Sequence, residues 1–136
     1  MKKTFVLLVV AALAIIVIGI AVFMATAYPM LKEQAEVRKM PIHEVDLAKV
    51  KDGIYRGDFT YGNFTYEVEV AVQDHEIKHI DFFKNRSEGE HAKKAEGVVE
   101  KVLKAQSLKV DVVTGATTTS KALLKAIENA LTNGLE

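Results

Sequence analysis

Phe64-Thr65-Tyr66-Glu67-Val68-Glu69-Val70-Ala71-Val72 is the stretch on which the fold turns. Phe64, Tyr66, Val68, Val70 and Val72 fall on one face of an extended chain, and Thr65, Glu67, Glu69 and Ala71 fall on the other. A period of two belongs to a strand, and this one predicts a strand buried on one side and solvated on the other. Upstream, Ile54 to Tyr61 keeps Tyr55, Phe59 and Tyr61 in phase, and Gly62-Asn63 has the composition of a hairpin turn. Downstream, Gln73-Asp74-His75 reads as a polar turn, followed by a third strand from about Glu76 to Lys84. With connections this short, an antiparallel meander is the economical topology.

Farther along, the period lengthens. Glu90 to Ala105 gathers Ala95, Val98, Val99, Val102 and Leu103 on one stripe, with Lys93, Lys94, Glu100, Lys101 and Lys104 opposite, which predicts an amphipathic helix. A short strand-like segment, Leu108 to Val113, leads to a run of hydroxyl residues. A second helix is expected from Lys121 to Leu131, through Leu123, Leu124, Ile127 and Leu131, with Gly134 as its stop. The expected class is α+β: a small antiparallel sheet with helices packed on one face.

Before all of this stands an apolar segment. Phe5 to Ala27 contains no charged residue, and 23 helical residues reach about 35 Å, enough to cross a hydrocarbon core of about 30 Å. Residues 1–27 are therefore read as a transmembrane anchor. Lys2 and Lys3 precede the span, so the positive-inside rule sends the remainder of the chain out of the cytoplasm, as a single-pass protein of the cell membrane with its C-terminal domain extracytoplasmic. Ala25-Thr26-Ala27 also has the small-x-small form of a signal-peptidase site, but the apolar run exceeds the ~7–15 residues of a signal core, which favours retention. Residues 28–45, with Pro29, Pro41 and mixed charge between them, read as a juxtamembrane stem, and residues 46–136 as the folded domain.

Composition removes several functions. Apart from Lys2 and Lys3, 16 basic face 18 acidic residues, a net charge of −2 without the clustered basic face of a nucleic-acid binder. The absence of cysteine excludes intrinsic disulfides, iron–sulfur clusters, thiolate zinc sites and a cysteine nucleophile. His43, His75, His79 and His91 are too scattered to predict a metal site. Tyr55, Phe59, Tyr61, Phe64, Tyr66, Phe82 and Phe83 are residues of a core, one or two of which could stack on a flat ring.

The remaining feature is Thr114-Gly115-Ala116-Thr117-Thr118-Thr119-Ser120. Glycine followed by four hydroxyl residues at a helix start brings backbone N–H groups, hydroxyls and the positive helix end to one place, which suits a phosphate, and Lys121 could add a cation. Simple capping by Thr118, Thr119 or Ser120 explains the same spacing.

The longer stretch Asp111-Val112-Val113-Thr114-Gly115-Ala116-Thr117-Thr118-Thr119-Ser120-Lys121-Ala122 resembles the flavinylation motif Asp-x-x-Ser/Thr-Gly-Ala-Thr of the FMN-binding domain family. That family includes the covalent flavin subunits of Na⁺-translocating quinone reductases and of Rnf-type complexes. The similarity reaches outward through Asp46 to Gly57 and Gln106-Ser107-Leu108. It implies that Thr117 carries FMN as a phosphoester, surrounded by Thr114, Gly115, Ala116, Thr118, Thr119, Ser120 and Lys121. It also implies a separate flavin transferase that uses FAD as donor, releases AMP and holds the magnesium itself. Asp111 is then a recognition residue for the transferase, or a turn former. Arg86, Ser87, Glu88 and Gly89 are candidate flavin contacts by position, although relatives often carry a Glu-Thr-Pro-Gly-like segment there and this chain has no proline in it.

No acid–base or nucleophile constellation accompanies the motif. The expected function is an electron carrier between membrane or extracytoplasmic redox proteins rather than a stand-alone enzyme. A non-covalent FMN-binding subunit of a reductase and a non-redox anchored binding module are the alternatives.

Overall fold

The computed structural model describes residues 1–83 and 90–135, with the backbone alone at 91 and 92. The chain divides into two compact units, Met1–Glu33 and Gln34–Glu136. Helix α1, Lys2–Lys39, begins in the first and ends in the second. Within Met1–Glu33, large apolar side chains such as Phe5, Leu7, Ile15, Ile18 and Phe23 are exposed all around the helix. A helix that is apolar on every side needs lipid or protein to cover it. Among the described residues it is the one helix long and apolar enough to cross a membrane.

In the second unit, β1 (Gly53–Tyr61), β2 (Phe64–Gln73) and β3 (Glu76–Phe83) form an antiparallel meander in the order β1-β2-β3. Tyr61 pairs with Phe64 across the first turn, where Gly62 takes a φ of 55°, and Gln73 pairs with Glu76 across the second. There Asp74 and His75 both adopt positive φ, as a two-residue type I′ hairpin requires. The backbone N–H of Asp74 donates to the Asp52 carboxylate at 2.8 Å, which holds this unusual turn in place. A register shift near Ala71 and Val72 leaves Ile77 and Ile80 both facing the core.

Val68, Val70 and Val72 are buried, as their alternation predicts, beneath α2 (Glu90–Ala105) and α3 (Thr117–Asn133). Helix α3 contributes Ala122, Leu123, Leu124, Ala126, Ile127, Ala130 and Leu131 to that core, and α2 contributes Ala95, Val98 and Val102. The class is α+β with the helices on one face of the sheet.

Two boundaries differ from the sequence expectation, and Leu108 to Val113 forms no strand. The hydroxyl run lies within α3, which starts at Thr117 rather than Lys121. The stem is no separate spacer, because the compact unit begins at Gln34 and not near Asp46. Val37 and Val45 are buried in its core, with Met40 and Ile42 packed against it. Polar bonds fasten the same segment: the Glu44 carboxylate accepts from the Ser107 hydroxyl and from the Leu108 N–H, and Glu128 accepts from the His43 N–H at 3.0 Å. The physical reason is area: a sheet of three strands with two helices leaves apolar surface on α3 that the incoming chain covers.

Candidate functional site

The approach to α3 is a tight turn. The Ala116 N–H donates to the Val113 carbonyl at 3.0 Å, and Gly115 between them sits at φ +81°. Side chains rarely adopt that conformation, so glycine is the residue the turn calls for. A Cβ built at Gly115 would meet nothing within 4 Å among the described residues. Ala116 caps the helix with no side-chain bond, and the first intrahelical bond runs from the Ser120 N–H to the Ala116 carbonyl at 2.8 Å. The N–H groups of Thr117, Thr118 and Thr119 therefore lie ahead of the helical ladder and point out of its positive end.

The hydroxyls opening α3 sort by burial. Ser120 is wholly buried, and its Oγ accepts from the Val113 N–H at 3.2 Å, folding the loop back onto the helix. Thr118 and Thr119 are 9% and 7% exposed, while Thr117 is half-buried. Thr114 is exposed before the turn. The capping role considered for Thr118, Thr119 or Ser120 thus falls, in modified form, to Ser120 alone: it holds an amide seven residues back rather than one of the orphan donors. Replacing Ser120 with Ala leaves the Val113 N–H without that acceptor. We expect a loss of about 1–2 kcal/mol, read as a fall in melting temperature in thermal unfolding.

The sequence-predicted cation is directed elsewhere. Lys121 Nζ donates to the Met40 carbonyl at 3.2 Å, tying α3 to the segment that follows α1. A cation that sequence reasoning missed approaches instead: Arg38 Nε donates to Thr118 Oγ1 at 2.8 Å. Nothing local distinguishes Arg38 from Lys32 or Lys39. Asp111 is exposed, and its backbone carbonyl accepts from Lys101 Nζ at 3.1 Å. Arg86, Ser87, Glu88 and Gly89 lie outside the described residues.

Helix α3 runs opposite to β1, since Asn129 Nδ2 donates to the Asp58 carbonyl and Asn133 Nδ2 to the Arg56 carbonyl, each at 2.9 Å. Its N-terminus is thereby directed toward the β1–β2 hairpin end of the sheet. That end carries an aromatic group. Tyr61 stacks on Tyr66 with centroids 5.8 Å apart, Tyr66 on Phe82 at 6.3 Å, and Phe59 and Phe64 flank Tyr61 at 6.4 and 5.7 Å. Phe59, Phe64 and Phe82 are only partly buried, so this end offers apolar ring surface.

Farther along α3, burial of Glu128, whose side chain is 10% exposed, works to raise its pKa. Hydrogen bonds from Lys125 and from the His43 backbone, with the Lys125 charge, outweigh it and hold the carboxyl below its ordinary 4.5. Glu128 thus remains a carboxylate at neutral pH, an anchor for the chain entering the unit rather than a proton donor.

The fold directs the N-terminus of α3, with its unladdered amides, toward the end of the sheet that carries the aromatic group. A family profile, the FMN-binding domain, matches residues 61–132, 72 of the 136 in the chain, and the chain belongs to that family. An uncharacterized protein of Treponema pallidum (strain Nichols) is 33% identical over 85 residues, covering 62% of this chain and 24% of that protein. The chain thus matches about a quarter of the length of this curated relative. With its N-terminal apolar helix, the protein is a membrane-anchored FMN-binding protein.

Proposed function

We propose that the protein carries FMN as a phosphoester on Thr117, outside the cytoplasm, and passes electrons between redox partners. The observation that carries this reading is the accessibility of Thr117: of the four hydroxyls that open α3, it alone is not buried. Beside it are the positive-φ turn at Gly115 and the amides of the first helical turn. A phosphodiester keeps one negative charge, and the helix dipole favours it by about 0.3–1 kcal/mol.

Attachment requires no redox chemistry. Thr117 Oγ bonds to the FMN-side phosphorus of FAD, the pyrophosphate P–O bond breaks, and AMP departs with its electron pair. The hydroxyl proton passes to a base of the flavin transferase, since no described carboxylate or histidine bonds to Thr117. The flavin supplies exchange of one or two electrons. The aromatic group around Tyr61 and Tyr66 gives its ring an apolar neighbour. A covalent tether suits a compartment where a dissociable cofactor is diluted away, and Lys2 and Lys3 before the span support that orientation.

The test is intact mass and in-gel flavin fluorescence of the full chain co-expressed with a flavin transferase. The expected mass exceeds the apoprotein by one FMN less one water, and fluorescence survives denaturation. Flavin that is released on denaturation would instead make this a dissociable FMN carrier. Accessibility of the C-terminal domain to protease added outside spheroplasts is expected, and protection there would reverse the proposed orientation.

A further inference from the structure

The first turn of α3 is approached from 80 residues away by the last turn of α1. Arg38 Nε donates to Thr118 Oγ1 at 2.8 Å, and Thr118 adjoins the proposed acceptor Thr117. One bond engages one of the five N–H donors of a guanidinium. Among the described residues Arg38 forms no ion pair, and it is exposed to solvent. The first turn of α3 contains no acidic residue, so no neighbour on that turn competes for the charge. Lys121, the other cation of the turn, is committed to the Met40 carbonyl.

We propose that Arg38 is a positioning residue for the cofactor phosphate, its terminal N–H groups holding the phosphoryl oxygens against the α3 amides while Thr118 fixes its orientation. The proposal rests on the reading of Thr117 as the attachment site. Guanidinium suits this role because it stays charged and presents paired donors to a phosphate. The bond to Thr118 also explains why a threonine next to the acceptor is buried with its hydroxyl oxygen engaged. The end of the membrane helix would then be a working part of the flavin site, and Arg38 would act on flavin loading as well as on the held product.

The experiment uses the full chain in detergent, loaded by a flavin transferase with FAD, in wild-type, Arg38→Gln and Arg38→Lys forms. Initial loading rates come from intact mass, the ³¹P resonance of the loaded phosphodiester reports its surroundings, and thermal unfolding reports folding. Arg38→Gln, which can still donate to Thr118 but carries no charge, is expected to load about tenfold more slowly, the effect of one charge-assisted hydrogen bond. Its ³¹P resonance should shift and its melting temperature should stay near wild type. Arg38→Lys keeps the charge but not the paired donors, and is expected to load at a rate between those of the wild type and Arg38→Gln. Loading of Arg38→Gln at the wild-type rate with an unmoved ³¹P resonance would overturn the proposal and leave the Thr117 assignment standing. Equal losses in the Lys and Gln forms would also overturn it, because charge would not be the cause. A wild-type chain that takes no flavin on Thr117 removes both readings together.

Discussion

Gly57→Ala is expected to unfold most of the second unit at temperatures where the wild type is folded. Gly57 lies in β1 directly beneath α3, and an added Cβ would stand 2.2 Å from the Ala126 carbonyl oxygen, 2.3 Å from the Ala130 nitrogen and 2.8 Å from the Ala130 Cα. Every one of these atoms belongs to the helix backbone, so no side chain can rotate out of the way. The helix would have to lift from the sheet, and it is bolted on both sides of the contact by Asn129 to the Asp58 carbonyl and Asn133 to the Arg56 carbonyl. Lifting it exposes Leu123, Ile127 and Leu131, all at 1% exposure or less. We expect a loss of about 3 kcal/mol or more, a large part of the ~5–15 kcal/mol of a small domain. Chemical denaturation read by far-UV circular dichroism checks it. Gly97→Ala is the comparison: in α2 its Cβ would reach, among the described residues, only Val113 Cγ2 at 3.4 Å. The helix-propensity gain of up to ~1 kcal/mol should leave that variant at least near wild-type stability. If Gly57→Ala proves as stable as Gly97→Ala, the close approach of α3 to β1 is wrong.

The contrast between these two glycines also marks what can be read from a chain and what cannot. The alternation in Phe64 to Val72 is decisive because a strand writes its two environments into neighbouring residues, and α2 is found at Glu90–Ala105 because its stripe recurs every three to four residues. Gly57 carries no such mark; only the helix above it makes its hydrogen side chain necessary. The start of α3 was legible in residue type but not in position. Threonine and serine favour caps over helix interiors when exposed, yet Thr118, Thr119 and Ser120 are buried in the first turn, where tertiary packing overrides that preference. The segment 34–45 gave the least signal. Its apolar residues Val37, Met40, Ile42 and Val45 follow no single period, because they fill gaps on a surface made by other elements. The Thr114–Ser120 turn was visible because its parts are contiguous, whereas Arg38 reaches it only through the fold.

Thr117→Ala is expected to abolish covalent flavin, with no band fluorescent after denaturation and an intact mass equal to the apoprotein. The neighbouring hydroxyls are poor substitutes for physical reasons. Thr119 is 7% exposed, Ser120 is closed off and bonded to the Val113 N–H, and Thr118 is 9% exposed with its oxygen accepting from Arg38. An acceptor must bring its oxygen to a phosphorus held in a second protein, and each of these would have to leave the core first. Stability should scarcely change, since a partly exposed side chain at the first helical position, outside the hydrophobic core, contributes within about 0.5 kcal/mol. Thr117→Ser keeps the hydroxyl and loses one methyl, so it should still be loaded. Thr118→Ala and Thr119→Ala should be loaded too, with some loss of stability from the vacated core. Fluorescence that persists in Thr117→Ala and vanishes in one of these two would move the attachment site by a residue. It would then require the first turn of α3 to open before the flavin is attached, because neither hydroxyl is accessible while that turn is closed.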